Sequence, residues 1–238
     1  MHNKITIIGT VHHKSEFFSE DVLYHKLCEL KPDLVLFEMP GDETNIMDWI
    51  ADYIQKFNGL EGFALKRYLE SYDVEIKPFD KPGRNDYYTK SYFSREDAFD
   101  AAYDKYFKTK NPNKTALFYK RMIDKAKATY GLWDKLTIQE MNSKECDVAV
   151  EAYFKILNAC MVAIFDLVPI LALHKAAWLQ RERYEDKVNN AMVTNILNYN
   201  KQYENKHLVV LCGYYHRCAL VKMLKTKQKT GSFVLNYT

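Results

Sequence analysis

The chain of 238 residues predicts an α/β protein: a mainly parallel central sheet with flanking helices and a large all-helical insertion. Three observations predict it. Short apolar runs rich in Ile and Val alternate with amphipathic stretches over the first 83 residues, and the same alternation returns after residue 205. Between them the segment 84–204 keeps a helical period with no convincing strand. Only 8 Gly and 6 Pro argue against disorder or a turn-dense all-β fold. We therefore expect one compact unit, with 1–83 and 205–238 as the α/β site domain and 84–204 as a Tyr-rich helical insertion roofing it as a lid.

The elements follow in order. ITIIGTVH, residues 5–12, is a β-branched run that reads as a buried strand. Ser19 opens a helix with Val22, Leu23, Leu27 and Leu30 at helical spacing, and Pro32-Asp33 closes it. LVLFE, 34–38, is a second buried strand, followed by helices over 44–57 and 60–72. VEIKPFD, 74–80, is a third strand whose Pro78 suits an edge position. Short connections between these pieces argue for right-handed βαβ units. In the insertion the periodicity predicts helices over 95–108, 113–130, 143–173 and 178–204. HLVVLCG, 207–213, a helix over 215–226 and SFVLNY, 232–237, complete the chain.

Composition narrows the function classes. Lys and Arg number 34 against 31 Asp and Glu, and a balance so near zero argues against a nucleic-acid binder held by phosphate contacts. The Tyr87, Tyr88, Tyr92 and Phe93 cluster has no recognisable nucleic-acid module around it, and Arg217, Lys222, Lys225, Lys227 and Lys229 read as a solvated basic face. Cys28, Cys146, Cys160, Cys212 and Cys218 form no CxxC pair and read as reduced thiols, which suits a cytoplasmic protein. The N-terminal sequence lacks the pattern of a signal peptide. The longest apolar run, Ala159 to Leu173, is interrupted by Asp166 and Pro169 and reads as a buried helix, so no membrane span is expected.

Position singles out the candidate site. Three apolar strands end in His12, Glu38 and Asp80, and the fourth runs through Gly213 into Tyr214, Tyr215 and His216. In an open parallel sheet, ligands bind at the carboxyl ends of the strands. Two mechanisms are open to this set. His12, Glu38 and His216 have the chemistry to hold a divalent ion of the Mn, Co or Zn class that activates water. Alternatively, a His with a carboxylate partner acts as general base without metal. No HExxH, GxSxG or P-loop motif occurs.

These residues resemble a known family. Gly9-Thr10-Val11-His12 is similar to the GTxH opening of the TraB/PrgY and Tiki group, and Pro32-Asp33-Leu34-Val35-Leu36-Phe37-Glu38 to its second strand. Gly213-Tyr214-Tyr215-His216 is similar to its GxxH motif. The wider clan includes erythromycin esterase-like enzymes and ChaN-like haem-binding proteins. The resemblance implies that clan's α/β fold, catalytic or metal-ligating roles for His12, Glu38 and His216, and supporting roles for Gly9, Thr10, Asp80, Gly213 and Tyr215. It also implies a hydrolase of ester or peptide bonds acting on a small-molecule or peptide substrate. The alternative is a non-catalytic protein that holds haem, metal or a signal peptide. One departure is visible: where the family has an Arg in the helix before the last motif, this chain has Val188, and Arg181 is the nearest substitute on that helical face.

Overall fold

The structure, a computed structural model, describes residues 3–40, 45–130, 135–228 and 233–236. The expected first residue of the helix over 44–57, the first and last residues of the strand over 232–237, and Lys229 lie outside them. Five strands, β1 (Asn3–Thr10), β2 (Leu34–Pro40), β3 (Glu75–Asp80), β4 (His207–Gly213) and β5 (Phe233–Asn236), form one sheet in the order β3-β2-β4-β1-β5. Every pairing is parallel. The protein is thus α/β with an all-parallel sheet. The three central strands are buried on both faces, which is why they read as continuous apolar runs and not as alternating ones. Pro78 lies on β3, an edge of the sheet, where a missing N–H is tolerated.

Helices α1 (Glu20–Leu30), α2 (Ile46–Phe57) and α3 (Leu60–Leu69) connect β1 to β2 and β2 to β3. Ser19 caps α1, its hydroxyl accepting from the Val22 N–H, and Asn45 caps α2 in the same way through Asp48. Next come α4 (Arg84–Tyr87), α5 (Lys90–Phe107), α6 (Lys114–Tyr130), α7 (Ile138–Met141), α8 (Lys144–Leu167), α9 (Pro169–Ala172) and α10 (Lys175–Gln202). Helix α11 (Tyr214–Gln228) follows β4 without a break. The helix expected over 143–173 is two: α8 stops at Leu167, ahead of Pro169 at the first turn of α9.

The chain divides into two units. One comprises residues 1–82, 133–148 and 188–238, and the other residues 83–132 and 149–187. The segment 84–204 is therefore shared: α7, the start of α8 and the second half of α10 belong with the sheet. Polar side chains tie them there, and hydrophobic periodicity does not register such ties. Asn142 bonds the Gly9 peptide, Asn195 and Tyr199 donate to the Phe79 and Pro78 carbonyls on the β3 edge, and the Asn3 amide donates to Asn200.

The second unit has its own core around Cys160, Met161, Ile164, Phe165, Leu171 and Trp178. Its tyrosines pack on one another: Tyr87 and Tyr184 stack with centroids 3.7 Å apart, and the Tyr88 hydroxyl donates to Glu185. The run read as a buried helix is covered only in part. By length and composition α8 is apolar enough to cross a membrane, and 28% of that stretch is buried. The five cysteines are free thiols.

Candidate functional site

The carboxyl ends of β1, β2 and β4, three adjacent strands, carry the site. After β1 the chain moves to β2 and β3 on one side of β4, and after β4 it moves to β5 on the other, so these ends lie at a switch point of the sheet. Thr10 is in register with Gly213. Two residues beyond, His12 has left the strand with φ of +60°, a left-handed conformation that non-glycine residues seldom adopt. That turn brings its imidazole back over β4: a Cβ built on Gly213 would lie 2.6 Å from His12 Nε2.

His12 Nδ1 lies 2.6 Å from Glu61 Oε1. The imidazole is 47% exposed while the Glu61 side chain is 1% exposed. Glu61 comes from the first turn of α3, where the helix N-terminus favours a carboxylate. Thr10 donates its hydroxyl to the same oxygen, and the Tyr53 hydroxyl donates to the other at 3.1 Å. Burial by itself would raise the Glu61 pKa; the hydrogen bonds and charge of His12, with the Thr10 hydroxyl, outweigh it and hold the group below its ordinary value. Glu61 is therefore an anion at neutral pH and accepts from His12 Nδ1. The Tyr53 phenol is pushed well above its usual range, by burial first and then by Glu61 and Glu38, so it stays a donor.

A second imidazole–carboxylate pair lies beneath. Glu38 Oε2 accepts the Gly213 N–H at 2.6 Å, and Oε1 faces His216 Nε2 at 3.5 Å. His216 Nδ1 is 2.7 Å from the Asn189 side-chain oxygen on α10. With both ring nitrogens facing acceptors, the buried pair is complementary as imidazolium and carboxylate. Gly213 thus joins the two pairs. The contacts above and standard bond lengths put His12 Nε2 within about 8 Å of Glu38 Oε2.

No family model, curated protein or solved structure matches the chain. The site is therefore read from its own geometry.

The structure brings together His12, Glu38, His216, Gly9, Thr10 and Gly213 of the expected set. Tyr215 lies edge-on to the His216 ring at 5.2 Å. Asp80 ends the edge strand β3 opposite Pro40 and is buried, its Oδ1 accepting the N–H of the next residue, Lys81, at 2.6 Å. Arg181 belongs to the second unit, where it meets Glu96 at 3.3 Å and lies over the Trp178 ring at 4.1 Å. Among the described residues, no group of three or more His, Cys, Asp or Glu side chains is placed to hold a metal ion. His12, Glu38 and His216 are engaged as two separate pairs instead.

Four functional side chains escaped the sequence reading. Glu61 sits in LEGFAL, a lone charge in an apolar helix start, and a buried carboxylate there calls for a partner. Tyr53 and Asn189 carry no motif. Arg217, read as part of a solvated face, is 1% exposed: it donates to the Ile7 carbonyl, to the Asn142 carbonyl at 2.6 Å and to Asp147.

The depressed Glu61 pKa has a sign. Its contribution to stability is complete above the ordinary value of 4.5 and is lost as pH falls through the lower folded-state value. Thermal midpoints measured from pH 7 downward are therefore expected to fall more steeply below about pH 4.5 in the native protein than in Glu61→Gln, which has no proton to take up there. Parallel curves would show that folding does not lower the Glu61 pKa.

Proposed function

We propose that the chain is a hydrolase of ester or amide bonds in which His12 is the general base. The observation that supports this best is the His12–Glu61 pair: a half-exposed imidazole at the carboxyl end of a central strand, its Nδ1 held by a buried anionic carboxylate. Water bound at Nε2 gives up its proton as it attacks the substrate carbonyl, and the imidazolium then returns that proton to the leaving group. Glu61 fixes the ring and stabilises its cationic form, while Thr10 and Tyr53 hold Glu61. Glu38 and His216 position Gly213, against which the ring rests. The resemblance of the GTxH and GxxH segments to TraB/Tiki proteins and erythromycin esterase-like enzymes points to the same class. The reading needs no metal at His12, Glu38 and His216.

Turnover of 4-nitrophenyl acetate and of a generic peptide substrate tests the proposal. His12→Ala is expected to lower kcat/KM by about 10²–10⁴ with the fold unchanged by circular dichroism. Equal turnover by the variant would overturn it.

A second reading, a protein that holds haem, metal or a signal peptide without cleaving it, is favoured by one observation. Val188, fully buried, fills the position where the resembled family carries an Arg, so that cation is missing. No turnover, combined with a Soret band on adding haem or a metal that copurifies and is lost in Glu38→Ala, would favour it.

A further inference from the structure

Helix α2 presents an aromatic series beside the His12–Glu61 pair. Trp49, Tyr53 and Phe57 stand four residues apart and share one helical face. Trp49 and Tyr53 stack nearly parallel with centroids 5.1 Å apart, and Phe57 leans on Tyr53 at 5.7 Å. Phe37, the residue before Glu38 on β2, meets both Trp49 and Tyr53 edge-on at 5.2 and 5.7 Å and fixes them from the core side. The series meets the site at Tyr53, whose hydroxyl is 3.1 Å from Glu61 and 3.4 Å from His12 Nδ1. It ends in solvent, with Phe57 68% exposed.

An exposed phenyl ring that leans on a tyrosine bonded to the His12–Glu61 pair is a surface for another ring. The charge beside it decides what kind. Glu61 brings a carboxylate to the site, and aromatic faces are negative at their centres, so a carboxylate or phosphate on the substrate would be repelled. We infer that this strip is a substrate subsite for an aromatic ring carried by a neutral or cationic ester or amide, the ring lying against Phe57 and Tyr53 with the scissile carbonyl at His12. The inference rests on the hydrolase reading for the carbonyl and on α2 alone for the ring.

Binding and turnover are measured separately, so that each can fail by itself. Calorimetric titration with phenylacetamide, acetamide and phenylacetate is expected to show binding of phenylacetamide alone. Methyl phenylacetate is expected to exceed methyl acetate in kcat/KM by about tenfold, the worth of one good aromatic contact. In Phe57→Ala, whose ring is exposed and whose loss the fold tolerates, that ratio falls toward one and phenylacetamide binding weakens in step; Trp49→Ala serves as a second variant. Turnover with no preference between the two esters, unchanged in both variants, overturns the subsite and leaves the hydrolase standing. Phenylacetamide binding that is lost in Phe57→Ala, with neither ester turned over, supports the subsite and overturns the hydrolase. Tighter binding of phenylacetate than of phenylacetamide overturns the charge argument and with it the substrate class.

Discussion

Arg217→Met is expected to cost about 3–5 kcal/mol of folding stability, because it leaves a buried carboxylate without its counter-ion. Arg217 is the largest fully buried side chain among the described residues, and its guanidinium joins three elements: the Ile7 carbonyl on β1, the Asn142 carbonyl after α7, and the Asp147 carboxylate on α8. Asp147 depends on it. Its second oxygen, Oδ2, is buried with no hydrogen-bond partner among the described residues, and its pKa is already raised, burial exceeding the lowering by Arg217. Methionine keeps the volume and removes the charge, so the Asp147 pKa rises further. A group whose folded pKa is raised favours folding below its unfolded value and costs stability as pH climbs through the folded one. The deficit of Arg217→Met against the native protein should therefore shrink on acidification. Denaturant unfolding at several pH values measures it. Arg217→Lys should recover only part of the loss, since a point ammonium cannot reach all three acceptors. Arg217→Met with Asp147→Leu should recover most of it. A pH-independent deficit would mean that packing around the guanidinium, and not its charge, is what counts.

That network marks where the sequence stops being legible. The strands were readable because parallel strands buried on both faces leave unbroken apolar runs, as in ITIIG and HLVVLCG. Most helices were readable from period and caps, Ser19 among them. His12, Glu38 and His216 were readable because a strand carries its last polar residue to a known edge. Glu61 and Tyr53 were not, because a helix that packs beside the sheet can bring any of its faces to that edge, and only packing decides which. Arg217 and Asn142 were hidden for a different reason. Hydrophobic patterning counts an Arg among lysines as solvent-facing, whereas this guanidinium meets carbonyls from parts of the chain 75 and 210 residues away. The same blindness hides why parts of the 84–204 segment group with the sheet. Asn142, Asn195 and Tyr199 join the sheet through side-chain hydrogen bonds to its backbone, a signal no periodicity carries.

The two pairs at the site differ in exposure, and exposure divides their work. His12 is half-exposed, whereas His216 is enclosed, its Nε2 facing Glu38 and its Nδ1 facing Asn189. Protons can be exchanged with a substrate only at the first. The buried pair instead holds the Gly213 N–H, and through it the surface on which the His12 ring rests. Mutations at Glu38 and His216 should therefore disturb catalysis through position.

The glycines of the two motifs put that division to its sharpest test. Both have a neighbour too close for a methyl group, yet the neighbours differ in kind. At Gly213 the obstructed atom is His12 Nε2, 2.6 Å from an added Cβ and at the end of a rotatable side chain. At Gly9 the obstructed atoms are the Tyr214 backbone Cα at 2.9 Å and Arg217 Cδ at 2.8 Å, neither of which has room to yield. Gly213→Ala should keep the native fold, because the imidazole can swing aside into solvent, at some cost in stability as the buried Glu61 carboxylate loses its His12 bond. It should lose about 10²–10⁴ in kcat/KM, the worth of a positioned general base, since the swing breaks the Nδ1 bond to Glu61 and removes Nε2 from its place. Gly9→Ala should instead lose about 1–3 kcal/mol of stability, as overpacking pushes α11 from β1 and strains the Arg217 network. Its activity should fall only as far as α11 carries Gly213 with it. Measuring unfolding midpoint and turnover for both variants separates the alternatives. A Gly213→Ala protein that is folded and fully active would show that His12 does not work from the position over β4, and the general-base assignment would fall with it.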